Sequence, residues 1–143
     1  ASDVYKRQGP YGRPDMALFI FTRKILAGEP IDVYNNGNMR RDFTYIDDIV
    51  AGVMAALDTV SHYEVFNLGN HRSENLMDFI HLIEANLGKK AKINFLPIQP
   101  GDVPETFADI DHTIEKLGFK PSTTIETGIK NFINWYKNYY KIT

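Results

Sequence analysis

At 143 residues, with 43% apolar and 24% charged side chains, the chain is long enough for one domain with a sizeable core. A formal charge of -2 argues against the basic surfaces that grip nucleic acid or an anionic membrane. With no cysteine there is no disulfide, thiolate nucleophile or Cys-based zinc site, and a cytoplasmic setting is the expectation. No apolar run approaches the roughly 20 residues a membrane span needs, and no signal-peptide pattern opens the chain.

Pro14, an apolar run and Gly28 predict a helix near 15–27. Ile31–Tyr34 and Met39–Ile46 flank Asn35-Asn36-Gly37-Asn38, which predicts a hairpin, since Asn-Gly supplies the positive φ of a tight turn. Asp47 or Asp48 then caps a helix with Ile49, Val53, Ala56 and Leu57 on its buried face. Glu64–Leu68 reads as a short strand ending at Gly69. Leu76, Phe79, Ile80, Ile83 and Leu87 recur at helical spacing up to Gly88, and Ala91–Leu96 follows as a strand. Three prolines and a glycine make 97–104 a loop. Asp111 caps a short helix ending at Gly118, and a last helix runs from about Ile125 to Tyr140. Alternating strands and helices make the class α/β, with too few strands for a complete doubly wound sheet.

The chemistry-bearing residues fall in three places. Arg41 carries a planar fork of donors suited to phosphate, and a strand leaving a tight turn would hold that fork rigidly. The plainer alternative is a solvated arginine or an ion pair with Asp42 or Asp47. Phe43 and Tyr45 share its side of an extended strand, and Tyr34 precedes the turn. These rings could stack a base, or simply be core. In Gln99-Pro100-Gly101-Asp102-Val103-Pro104, Asp102 could accept two hydroxyl hydrogen bonds from a diol, or bond its own turn. Gly9-Pro10-Tyr11-Gly12-Arg13-Pro14 opens a helix, where Arg13 could help hold an anion. His62, His71, His81 and His112 show no metal-ligand spacing, and Lys89-Lys90-Ala91-Lys92 reads as a solvated turn after a helix end.

In this order and spacing the motifs Gly-Pro-x-x-Arg-Pro-Asp-Met-Ala (9–17), Arg-Arg-Asp-Phe-Thr-Tyr-Ile-Asp-Asp (40–48), Phe-Asn-Leu-Gly (66–69), Pro-Gly-Asp-Val-Pro (100–104), Ala-Asp-Ile (108–110) and Pro-x-Thr-x-Ile-x-x-Gly-Ile (121–129) carry a resemblance. The chain resembles the C-terminal half of an extended short-chain dehydrogenase/reductase acting on nucleotide sugars, most of all a UDP-glucuronate 4-epimerase. The resemblance implies a substrate-binding half with a remnant of a Rossmann domain over 9–143. About 47–69 should pack on the rest of the Rossmann sheet, and 1–8 form a foreign or mis-joined leader. It implies that Arg41 binds the nucleotide diphosphate, with Phe43 beside it. Tyr34 lies against uracil, Asp102 binds ribose, Gln99 stands where many relatives carry arginine, and Arg13 faces the sugar carboxylate. Asp47 and Asp48 match a structural helix start.

The family reaction is a redox-mediated inversion through a 4-keto sugar with NAD as cofactor. Its Tyr-x-x-x-Lys pair and Gly-x-x-Gly-x-x-Gly loop have no counterpart here, because no lysine follows a tyrosine by four residues. The chain therefore reads as part of a longer protein, bearing no catalytic residue and inactive alone, while the parent is a homodimer. Sibling readings are a UDP-glucose 4-epimerase, a dTDP-glucose 4,6-dehydratase or a UDP-uronate decarboxylase. The reading from another class is a non-catalytic nucleotide-binding module.

Overall fold

The computed structural model describes residues 16–59 and 63–142. The first helix, α1 (Ala17–Ala27), stops at Gly28, whose φ of 72° closes it in a left-handed cap. Strand β1 (Pro30–Val33) follows, and its Ile31 and Val33 side chains are fully buried.

The hairpin expected next does not form. Asn35, Asn36 and Gly37 all take positive φ, at 51°, 49° and 82°. A two-residue hairpin turn needs two such residues, and the third carries the chain out of the sheet. Asn36 donates its N–H to the Leu96 carbonyl at 3.0 Å, and the Asn35 side chain donates to the Asn38 carbonyl at 2.7 Å. β1 instead pairs in parallel with β4 (Lys92–Phe95), in the register Pro30↔Lys92 to Val33↔Phe95. The strand after the turn, β2 (Arg40–Asp42), is shorter than expected and pairs antiparallel with β3 (Ser73–Asn75). Its other edge meets the 104–106 segment: Arg40 donates its N–H to Pro104 at 2.8 Å, and Thr106 donates to the Arg40 carbonyl at 3.1 Å.

Helix α2 (Ile46–Asp58) departs from expectation both in its cap and in its buried face. Its cap position is Tyr45, with Asp47 and Asp48 inside the first turn. It buries Asp48, Ile49 and Gly52, whereas Val53 is 42% and Leu57 75% exposed. The reason is close packing at Gly52, where a Cβ would lie 2.5 Å from Leu68 Cδ2 and 3.0 Å from the Phe119 ring. Contact through that glycine turns the apolar row Val50, Val53, Met54 and Leu57 away from the core.

Glu64–Leu68 forms no strand and joins no ladder among the described residues. Its bonds go to α4 (Asp111–Leu117) and the residues just before it: the Asn67 side chain donates to Asp109 O at 3.0 Å, and Thr113 Oγ1 donates to Asn67 O at 2.7 Å. Val65 is left 66% exposed. Asp111 is the first residue of α4 rather than its cap, and donates its N–H to Asp109 Oδ1 at 3.2 Å.

The core lies between α1, β1, α3 (Leu76–Leu87) and α5 (Ile125–Tyr140), where Phe21, Ile25, Ile80, Ile83, Ile129 and Ile133 meet. α3 has the Asn75 side chain accepting from the Met77 N–H at 2.7 Å, and Gly88 ends it with φ 67°. The final helix matches its predicted span and buries Ile129, Ile133 and Tyr136. The lysine-rich turn after α3 is tied down as well as solvated. Buried Glu84 accepts the Ala91 N–H at 2.7 Å and Lys90 Nζ at 2.9 Å, and Lys89 Nζ donates to Leu26 O at the end of α1. Burial alone would raise the Glu84 carboxyl. The Ala91 N–H and the Lys90 ammonium outweigh it and hold the group below its ordinary value.

Candidate functional site

Two backbone links bring the predicted residues toward one another. At one end, Leu96 donates its N–H to Val33 O at 2.9 Å, which sets the start of the 97–104 loop beside Tyr34. At the other, Pro104 accepts from Arg40, which sets the loop's end beside Arg41. The loop thus runs from the turn before β2 to β2 itself. At its tip Asp102 donates its N–H to Gln99 O at 3.1 Å and Gly101 takes φ 88°. Gln99 and Asp102 are exposed.

Arg41 is half-buried, and among the described residues only its Nη1 is engaged, donating to Arg40 O at 2.8 Å and Pro104 O at 3.2 Å. No carboxylate pairs with it among the described residues, so neither Asp42 nor Asp47 satisfies it. Its neighbour differs, as the alternation of a strand requires. Arg40 Nε meets Glu105 Oε1 at 3.2 Å, and its Nη2 donates to Ser73 O. A guanidinium braced on two carbonyls, with donors to spare, is arranged to take an anion.

Phe43 lies on the core side. Its ring stacks on Phe79 with centroids 4.4 Å apart and 5° between planes, so one face is already covered. Tyr45 faces α5, where Asn131 Nδ2 lies 3.4 Å from its hydroxyl. Phe43, Tyr45, Ile49, Ile125, Phe132 and Trp135 line an apolar cleft of about 420 Å³. Tyr34, Arg41, Gln99 and Asp102 do not border that cleft, so it is distinct from the polar site around Arg41. Arg13 lies outside the described residues.

Two carboxylates that the sequence offers only as an ion-pair partner and a helix cap hold distant amides instead, Asp42 beside Arg41 and Asp48 between α2 and α5. Asp42 Oδ1 accepts the Asn70 N–H at 2.9 Å and Thr44 Oγ1 at 3.4 Å, while Oδ2 accepts the Ala108 N–H at 3.1 Å. Its own N–H donates to Thr106 Oγ1 at 3.1 Å. Asp48 accepts the Ser122 and Thr123 N–H groups at 3.1 and 3.0 Å, linking α2 to the lead-in of α5. It does not cap its own helix. Burial pushes the Asp48 carboxyl up, but these donors prevail and hold it below its ordinary value. A carboxylate at the apolar first turn of a helix was the available signal.

Gly69 completes the arrangement, because a Cβ there would collide with Ala108 Cβ and lie 3.4 Å from Asp42 Oδ2. Ala108 has no flexible side chain with which to yield, so backbone must move. Gly69→Ala should therefore destabilise the protein by about 2 kcal/mol in denaturant melts. An unchanged midpoint would contradict this packing.

None of the described residues forms a glycine-rich strand-to-helix loop. Gly28, Gly88 and Gly118 close helices, and Gly37 and Gly101 sit in turns. The described residues therefore do not fit a dinucleotide pyrophosphate.

Residues 4–69 match the NAD dependent epimerase/dehydratase family. The chain is 56% identical to an uncharacterized protein of Methanocaldococcus jannaschii, over 90% of this chain and 39% of that protein. It is 45% identical to UDP-glucuronate 4-epimerase 2 of Arabidopsis thaliana, over 93% of this chain and 35% of that one. In fold it is similar to UDP-glucuronic acid 4-epimerase from Bacillus cereus, solved with UDP-glucuronic acid and NAD. The TM-score is 0.85 at 35% identity, covering 92% of this chain and 43% of that chain. The chain spans less than half the length of these relatives. Beyond residues 4–69 the motif order and the α/β fold remain similar to those of NAD dependent epimerase/dehydratase relatives.

Proposed function

We propose that this chain is the substrate-binding half of an NAD-dependent UDP-sugar 4-epimerase that interconverts UDP-glucuronate and UDP-galacturonate. The observation that carries the reading is Arg41: a braced guanidinium without a carboxylate partner among the described residues, set against the loop bearing Gln99 and Asp102. Similarity to enzymes named as UDP-glucuronate 4-epimerases supports the substrate. In this reading Arg41 takes the diphosphate, Tyr34 the uracil, and Gln99 and Asp102 the ribose. Phe43 supports the site from the core side, and Arg13 meets the sugar carboxylate. NAD supplies the redox chemistry of the whole protein and would be held by parts outside this chain. The whole protein is read as a cytoplasmic homodimer. No described helix is long and apolar enough to cross a membrane.

The exposed row on α2, with Val65 beyond it, supports a further part of the proposal: 47–69 packs on the remainder of a Rossmann domain. Leu57→Lys should change the melting temperature of this chain by less than about 2 °C, because Leu57 buries little here. In the whole protein the same change should cost several degrees. Equal effects in both settings would remove α2 from any such interface.

The functional test uses the protein restored to its relatives' length, supplied with UDP-glucuronate and NAD. UDP-galacturonate should form and be resolved by chromatography. No conversion, in a folded protein that binds UDP, would end the substrate assignment. Arg13→Ala should lower turnover of the uronate more than that of a neutral UDP-sugar.

A further inference from the structure

Three sequence motifs that lie far apart in the chain converge on the carboxylate of Asp42. It belongs to β2, accepts from Asn70 directly after the Phe-Asn-Leu-Gly segment, and accepts from Ala108 at the start of Ala-Asp-Ile. Its backbone N–H adds Thr106 from the strap that bridges to β2. The two oxygens divide the contacts, Oδ1 holding the 70 side and Oδ2 the 108 side. Gly69 and Ala108 pack too closely for either segment to shift independently. The carboxylate therefore fixes the register of 104–108 against β2. That register places the Pro104 carbonyl where it braces Arg41 Nη1 and accepts from the Arg40 N–H.

We propose that Asp42 is a positioning residue for nucleotide diphosphate binding, acting through Arg41. It touches no ligand itself. It holds the arginine's strand and the loop carrying Gln99 and Asp102 in one fixed relation, so the site is organised before the diphosphate arrives. An amide at this position keeps one acceptor oxygen but turns an NH2 toward a backbone N–H. Asp42→Asn therefore breaks one of the two links with little change in volume. The inference rests on the nucleotide reading above, and the experiment separates the two.

Calorimetry of UDP and of uridine is run on the full protein and on the Asp42→Asn, Arg41→Ala and doubly substituted forms. Asp42→Asn should weaken UDP about tenfold and leave uridine within about twofold, because the loss passes through the diphosphate contact. The double variant should bind UDP no more weakly than Arg41→Ala alone. Additive losses, or an equal loss for uridine, would overturn the positioning role. Asp48→Asn, remote from the loop, serves as the comparison for general destabilisation and should leave UDP affinity unchanged. If the unsubstituted protein does not bind UDP, the nucleotide reading fails and the positioning role falls with it. Amide exchange tests the clamp itself without nucleotide: Asp42→Asn should speed exchange about tenfold at Asn70 or Ala108, whichever loses its acceptor, with α5 unchanged. Unaltered exchange at both amides would overturn the clamp whatever the nucleotide result.

Discussion

Replacing Arg41 by alanine should raise the dissociation constant for UDP about a hundredfold, close to 3 kcal/mol, with little loss of thermal stability. The size follows from charge-assisted hydrogen bonds of about 1.5–3 kcal/mol and from the donors that Arg41 leaves unpaired among the described residues. Stability should hold because among the described residues the side chain contributes only two hydrogen bonds to carbonyls, and Pro104 still accepts from the Arg40 N–H. Lysine would restore charge without the planar fork, so Arg41→Lys should recover only part of the affinity. Raising salt should weaken binding to the unsubstituted protein and have less effect on Arg41→Ala. Calorimetry across a salt series measures all of this. Equal affinity in the two proteins would exclude Arg41 as the diphosphate ligand.

Asp48→Ala should have the largest effect on stability, about 3 kcal/mol, or roughly 10 °C in melting temperature. The residue is 8% exposed, and its carboxylate accepts two backbone N–H groups that lose this charged partner when it is gone. The loss should depend on pH. Its folded-state pKa is depressed, so its stabilising contribution is fully present above the ordinary aspartate value of 3.8 and is lost as pH falls through the lower folded value. Denaturant melts of both proteins should therefore diverge most near neutral pH and converge in acid below that value. A difference that stayed constant across this range would mean that the ionised carboxylate is not what holds Ser122 and Thr123.

What could be read from sequence followed how local each feature is. The spans of α1, α3 and α5 rest on apolar spacing and on terminal glycines, which act within a few residues, and they are found where expected. The hairpin failed because Asn35-Asn36-Gly37 looks the same locally whether two or three residues turn left-handed. The choice belongs to β4, which claims β1. Val53 and Leu57 have the spacing of a buried face, but Gly52 decides which side packs, and its contacts lie at Leu68 and Phe119. In the 40–48 motif, residue types suggested donors and rings. Only the folded chain shows a division of work: Arg40 ties to Glu105, Asp42 and Asp48 hold distant amides, Phe43 joins the core, and Arg41 keeps donors free of any partner among the described residues. The roles of Asp42 and Asp48 were hidden because their partners lie up to 75 residues away.

The parallel pairing of β1 with β4 also sets an order of events during synthesis. Asp32 and Asn94, hydrogen-bonded across it, are 62 positions apart. At a translation rate of about 5–20 residues per second, β1 emerges roughly 3–12 s before its partner. Through that interval Ile31 and Val33 have no strand to cover them, and α2, one of the two helices made in between, shows its own apolar row. Ribosomes arrested before β4 has emerged should present a protease-sensitive nascent chain, and those arrested after α5 has emerged a protected one. The ladder is thus also a clock for the core, which starts to close when β4 arrives and is completed by α5, and the seconds before that are when this polypeptide most needs a chaperone.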